Sequence, residues 1–378
     1  MLWASHFMVM KPMTKESSMG DKCRVGLIAP FKTIYMNAGE NRAWSGGGEI
    51  TTFLANYITI SHIPFIVGGN VALEDPQYTD VLFVIACPWS NQFDRTTLAA
   101  ERFLNIIRWM SKSRKIIYLI PDPSPAFRYP DARTLENIYS RFVKPVAPVS
   151  VIRNIREESV FANAETLLII PDVYSDDERI MLTTALKIPH VDKCHFINLT
   201  SVSWINWNRK RLIFGSPKSS LNHDLVYVGN NRAARLKALK KYHYGLKVNV
   251  YGNWKPNTAI EIFGIRAHNK GRLKHTELRT VYNHKTTSVI TVDSHVNGLS
   301  YYPTRMWEIL RYGGSLLISE EAKFNPTIWD EWIVKSADNV SYLAEADYWK
   351  KQVEALSTIT PTKVGLYKQL NRLIKDII

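Results

Sequence analysis

Cysteine is scarce in this chain, with three residues, Cys23, Cys87 and Cys194, among 378. They lie far apart and match no metal-ligand spacing, which argues against a cysteine-built zinc site. So few thiols fit a reducing compartment without structural disulfides. Long apolar runs are missing too. No stretch approaches the roughly 18 residues of a membrane span, so no membrane partner is expected. The opening MLWASHFMVMKPM is apolar but has neither a basic leader nor a small-residue cleavage site, and residues 1–20 are expected to form a loose tail. Internal repeats and low-complexity segments are absent. Acidic residues run short in one region. Between Ile205 and Lys285 there are 17 Lys and Arg against 3 Asp and Glu, which leaves +14, the net charge of the whole chain.

What is present is ordinary for a globular protein: 46% hydrophobic and 22% charged residues. The length exceeds what one core usually serves, so two domains are expected. The first half alternates apolar strands with helical spacing. RVGLIA, PFIVGG, DVLFVIACP, KIIYLIPDP, SVIRN and TLLIIPD read as buried strands. Glu49 to Ile60 and Arg95 to Lys112 read as helices. Residues 189–221 are irregular and read as a hinge. A second alternation follows: LVYVG, a helix from Arg232, VNVYG, a helix near His275 to Asn283, SVITVD, a helix from Pro303, and SLLIS. Tyr342 to Ile378 reads as two or more helices. Strands separated by helices imply parallel, doubly wound sheets, whose ligands bind beyond the strands' carboxyl ends.

Four motifs in the second half carry chemistry. In DLVYVGNNRAAR the strand ends at Gly229. Asn230 and Asn231 offer amides, and Arg232 and Arg235 share one side of a helix's first turn. Arginine forks at a helix N-terminus suit phosphate oxygens, although Gly-Asn-Asn is also an ordinary turn. VNVYGN and GRLKHTEL follow. In TRMWEIL, Arg305 and Glu308 stand three apart on one helix face. That spacing fits either an internal ion pair or a site where the arginine meets a diphosphate and the glutamate accepts ribose hydroxyls. The basic excess fits a nucleic-acid backbone or a solubilising surface.

In order and spacing these motifs resemble the T-even phage DNA β-glucosyltransferase family, most closely from Asp224 to about Val340. The resemblance implies an α/β protein of GT-B architecture, with two Rossmann-like domains facing across a cleft. Residues 21–205 would form the acceptor (DNA) domain and residues 206–355 the UDP-sugar domain. Residues 356–378 would form a helix packing back on the first domain. The implied reaction is inverting transfer of a sugar from UDP-glucose or UDP-arabinose to a hydroxymethylated pyrimidine, foremost 5-hydroxymethylcytosine. The acceptor would be duplex DNA with the base flipped out.

Carried over residue by residue, Gly229, Asn230, Arg232, Arg235, Tyr251, Gly252, Asn253, Arg272, Leu273, Arg305 and Glu308 would hold UDP. Gly271-Arg272-Leu273 stands where the family has Gly-Lys-Ile, and Asn230 where it has serine. One residue fewer separates Gly229 from Arg235 than in the family. In the first half Asp122, closing IIYLIPDP, would be the catalytic base, and Glu49 would stand near the sugar. Gly48 and Asp293 would line the sugar pocket. Arg209, Lys210 and Arg211 are candidates for DNA phosphates. Trp204, Trp207, Phe127 and Tyr129 could stack on a flipped base, or the two tryptophans could pack the hinge. No protein-held metal is expected, although Mg2+ or Mn2+ could accompany the diphosphate. A monomer in the cytoplasm of an infected bacterium is implied. Two other readings stand beside this one: a GT-B enzyme acting on a lipopolysaccharide or small-molecule acceptor, and a non-catalytic DNA-binding protein.

Overall fold

The described residues form two sheets, each of six parallel strands. The computed structural model describes residues 23–28, 47–67, 75–85, 105, 108–110, 112–120, 166–169, 177, 180, 184, 194–199, 201–202, 224–229, 248–252, 267–271, 273, 277–282, 286–290, 304–319, 333–334 and 346–378. The first sheet holds β1 (Arg24–Ile28), β2 (Ile63–Val67), β3 (Thr79–Ile85), β4 (Ser113–Ile120), β5 (Thr166–Ile169) and β6 (Cys194–Phe196), in the order β2-β1-β3-β4-β5-β6. The second holds β7 (Asp224–Val228), β8 (Val248–Tyr251), β9 (Ala267–Gly271), β10 (Thr286–Ile290), β11 (Ser315–Ser319) and β12 (Ile333–Val334), in the order β12-β11-β10-β7-β8-β9. The expected strand SVIRN and the helix expected from Arg232 lie outside the described residues.

The first sheet is covered by α1 (Gly47–Ser61), which buries Ile50, Phe53, Leu54, Tyr57 and Ile58 at helical spacing. Beneath it β1 packs tightly against β3. A Cβ on Gly26 would come within 2.7 Å of Leu82 Cδ1, so a larger residue there would have to displace the Leu82 side chain. The second sheet carries α2 (Leu278–Val281), α3 (Thr304–Arg311) and α4 (Ala346–Ile359). Two-residue β12 pairs only with Ile318 and Ser319, and therefore leaves the start of β11 without a strand on that side. The Gln352 amide of α4 fills the gap. Its Oε1 accepts from Leu316 N at 2.8 Å and its Nε2 donates to Leu316 O at 2.9 Å. A buried side-chain amide thus satisfies the backbone groups that a neighbouring strand would otherwise pair.

After α4 the chain turns at Thr360–Thr362, a few residues beyond the expected boundary at 355/356, and α5 (Lys363–Ile377) begins. Thr362 caps it by accepting from Gly365 N at 3.0 Å. Leu366, Leu370, Leu373 and Ile374 of α5 are buried in the same apolar cluster as Val25, Leu27, Phe83 and Ile117 of the first sheet. Each such side chain contributes about 1.5–3 kcal/mol of burial. The chain's last helix therefore belongs to its first core. Polar contacts fix the docking. Tyr57 Oη donates to Asn371 Oδ1 at 2.7 Å, and the Tyr367 ring packs against Phe53 and Tyr57. His62 extends the chain, with Nε2 at 3.1 Å from Tyr57 Oη and Nδ1 at 3.3 Å from Cys23 Sγ. Among the described residues no helix is long and apolar enough to cross a membrane.

Candidate functional site

In the second sheet the chain runs outward from β7 through β8 to β9. It then returns to the other side of β7 and continues through β10 and β11 to β12. The connections leaving β7 and β10 diverge, and such a reversal opens a crevice beyond the carboxyl ends of those two strands. Those of the second-half residues singled out in the sequence that are described, Gly229, Tyr251, Gly252, Arg305 and Glu308, lie at or near that end of the sheet.

β7 buries Leu225, Val226 and Tyr227 and ends at Val228. Gly229 follows, and its N–H donates to Tyr251 O at the end of β8, at 2.9 Å. Tyr227 curls back over this glycine. A Cβ on Gly229 would meet the Tyr227 phenol oxygen at 2.8 Å, so a larger residue here would displace the ring. One strand further out, Gly252 N–H donates to Gly271 O at 2.7 Å. Both glycines have positive φ, 141° and 75°, and the β8–β9 register shifts between Val250 and Tyr251. A bulge at the strand ends thus holds the Tyr-Gly turn against Gly271, and half-buried Leu273 stands two residues on.

On the β10 side, α3 is amphipathic, with a buried run from Met306 to Leu310 between partly exposed Arg305 and Arg311. Met306, Trp307, Ile309 and Leu310 are buried, and so is Glu308, whose side chain is 1% exposed. It is the only Asp, Glu, Lys or Arg in the buried set of the described residues. Arg305, one helical turn earlier, keeps a quarter of its side chain open and balances that charge with Nε 3.5 Å from Glu308 Oε2. Its Nη1 reaches across to the end of β7, donating to Val228 O at 3.0 Å and to Tyr282 Oη at 3.1 Å. Tyr282, at the end of α2, is buried. Burial pushes its phenol up to about 12, with Arg305 opposing and Glu308 adding to the shift, so it stays a neutral hydroxyl at physiological pH. Burial pulls the Arg305 guanidinium down, but facing Tyr282 and Glu308 outweigh it and the group remains cationic.

The structure therefore brings Gly229, Tyr251, Gly252, Arg305 and Glu308 together at the carboxyl end of one sheet, with Leu273 two residues past the bulge. A cation, a buried carboxylate and glycine turns open to backbone approach can receive an anionic group and vicinal hydroxyls. Asn230, Arg232, Arg235, Asn253, Arg272 and Asp293 lie outside the described residues, as do Arg209, Lys210 and Arg211. In the first half, Gly48 and Glu49 fall in the first turn of α1, after the β1 connection. Asp122 lies outside the described residues, two positions past the last residue of β4. Sequence reasoning missed Tyr227 and Tyr282. Their pairing with Gly229 and Arg305 depends on which strands become neighbours, and no local spacing reveals that. Among the described residues no group of three or more His, Cys, Asp or Glu is arranged to hold a metal.

No family model matches the chain, and no curated protein does. Solved structures resemble it at low identity. AviGT4, a glycosyltransferase involved in avilamycin A biosynthesis, is 11% identical, with a TM-score of 0.46, covering 93% of this chain and 97% of its own. An E. coli structure described as trehalose-6-phosphate bound with UDP-2-fluoro glucose is 9% identical, with a TM-score of 0.45, covering 94% of this chain and 99% of its own. A dipicolinate synthase chain from Bacillus halodurans is 9% identical, with a TM-score of 0.20, covering 90% of this chain and 98% of its own. Similarity at this level assigns neither a family nor an activity.

Proposed function

We propose that this chain is a UDP-sugar-dependent glycosyltransferase of GT-B architecture, with its two parallel sheets facing across a cleft. The observation that carries the reading is the convergence at the strand reversal between β7 and β10. There Arg305 is tied to the end of β7, Glu308 is buried behind it, and the glycine turns of β7, β8 and β9 are joined by backbone hydrogen bonds. Arg305, with Arg232 and Arg235, would meet the diphosphate, and Glu308 the ribose. Leaving-group charge develops on the diphosphate, so those arginines would contribute most in the transition state.

The acceptor in this reading is a hydroxymethylated pyrimidine in duplex DNA, with 5-hydroxymethylcytosine foremost. The basic stretch from Ile205 to Lys285 and the motif order support it. Asp122 takes the hydroxymethyl proton, the freed oxygen bonds to the anomeric carbon, and the bond to UDP breaks with its electron pair leaving on the diphosphate. An alcohol is a poor nucleophile, so a positioned carboxylate is needed, and the base must leave the stack to reach it. The test is mass spectrometry of hydroxymethylated duplex DNA incubated with a panel of UDP-sugars. A mass gain of one sugar residue per modified base is expected, together with a fall of at least about 100-fold in the rate for Asp122→Asn at unchanged UDP affinity. UDP binding without transfer to any DNA would remove the DNA acceptor. Absence of UDP binding would remove the glycosyltransferase.

A further inference from the structure

We propose that Tyr282 is a positioning residue for the nucleoside diphosphate: its phenol oxygen, with the Val228 carbonyl, fixes the Arg305 guanidinium in the orientation that receives the diphosphate. The inference rests on the nucleotide reading of this site.

Three elements converge on one guanidinium. Val228 O at the end of β7 and Tyr282 Oη at the end of α2 lie 3.0 Å and 3.1 Å from the same nitrogen, Nη1. Glu308, from the arginine's own helix, faces Nε. Nη1 is thereby directed at two acceptors, the backbone carbonyl of Val228 and the buried phenol oxygen of Tyr282. Because the guanidinium is planar, fixing Nη1 and Nε sets the plane of the whole group. An arginine so held loses little side-chain freedom when an anion arrives, and such preorganisation appears as affinity.

The chemistry of the orienting group matters as much as its position. Glu308 already supplies one negative charge. A second carboxylate at position 282 would cancel what a diphosphate needs. A phenol accepts the N–H without neutralising the cation, and burial keeps it a phenol. The second tyrosine near this point, Tyr227, lies over Gly229 and is close enough to act electrostatically on both Arg305 and Tyr282. Tyr282 is thus a neutral anchor in a place where a stronger acceptor would spoil the site.

The experiment is calorimetric titration of UDP and of uridine into the full-length protein, its Tyr282→Phe variant, and both Arg305→Ala and Arg305→Ala/Tyr282→Phe, with thermal melting to check folding. Tyr282→Phe is expected to weaken UDP about tenfold and leave uridine within about twofold, since one hydrogen bond to a charged group is lost. In the Arg305→Ala background the same change should do nothing further. Arg305→Lys, which keeps the charge but cannot span both acceptors, should show the same split between UDP and uridine. It serves as the second variant should Tyr282→Phe fold poorly. UDP affinity unchanged in Tyr282→Phe, or UDP and uridine weakened equally, overturns the positioning role while the nucleotide site stands. If the wild-type protein binds no UDP, the nucleotide reading itself fails and this inference fails with it.

Discussion

Arg305 and Glu308 face different parts of the proposed ligand, and their substitutions should separate accordingly. Arg305→Ala is expected to cost UDP about 1.5–3 kcal/mol, the usual worth of a hydrogen bond to a charged group, and to leave uridine nearly untouched. Glu308→Ala should weaken uridine as well, because ribose hydroxyls are the proposed partners of its carboxylate. Titrations with the two ligands check this, and equal effects of both variants on uridine would contradict the assignment. The sequence made the pair visible through its three-residue spacing; alone that spacing favoured a plain intrahelical ion pair, and the flanking strands SVITVD and SLLIS moved the reading towards a ligand site. The structure adds what spacing cannot: a carboxylate 1% exposed among the buried apolar side chains of its helix, and an arginine reaching 77 positions back along the chain to Val228. Tyr282 was illegible for the same reason. Its value lies in a neighbour 23 residues away whose position is set by packing.

At the scale of elements, the central strands were legible because each is buried on both faces and reads as an apolar run: RVGLI, TDVLFVI, DLVYV, VNVY and SLLIS. Of the four edge strands, β2 was legible as the apolar run IPFIV, whereas β6, β9 and β12, of sequence CHF, AHNKG and IV, were not. An edge strand is paired on one side only and needs no continuous apolar run, so three short or polar ones carried no periodicity to mark them. The helical spacing of α5 was equally plain, but spacing alone names no partner.

The docking of α5 against α1 brings a pH dependence. Tyr57 donates its proton to Asn371, so its oxygen accepts from His62 Nε2–H, and Nδ1 is left to accept from the Cys23 thiol. Burial, with Asp80 adding, raises the thiol's pKa and keeps it protonated. A second proton on His62 would set two donors face to face. Burial lowers the His62 pKa below its ordinary 6.5. The unfolded chain therefore binds the proton first, and stability from this group is complete above pH 6.5 and declines as pH falls below it. Denaturation midpoints measured from pH 7.5 to 5.5 should fall with pH in the wild-type protein and fall less in His62→Gln. Parallel slopes for the two would contradict these hydrogen-bond directions.

At the scale of the molecule, the last helix of the chain is held in the first core while α4 is held on the second sheet, with Thr360–Thr362 between them. The excess of Lys and Arg between Ile205 and Lys285, a segment with three of the four nucleotide motifs, equals the net charge of the whole chain. A diphosphate uses two or three cations, and the remainder suits a polyanion. Replacing Arg209, Lys210 and Arg211 together by Gln should leave UDP affinity unchanged and lower DNA affinity on every sequence alike. The slope of log affinity against log salt should become shallower by up to about 0.9 per lost contact. An unchanged slope in a folded variant would make the cluster a solvated linker.

The claim on which the rest depends is that a nucleoside diphosphate sits beyond the carboxyl ends of β7, β8 and β10. Hydrogen exchange measured by mass spectrometry with and without saturating UDP addresses it directly, because it reports both whether the ligand binds and where. Slowed exchange is predicted in peptides covering 227–235, 250–254, 270–274 and 303–309, with little change across β1 to β4. Protection confined to the first sheet, or no protection anywhere at concentrations that saturate other UDP-binding proteins, would contradict it.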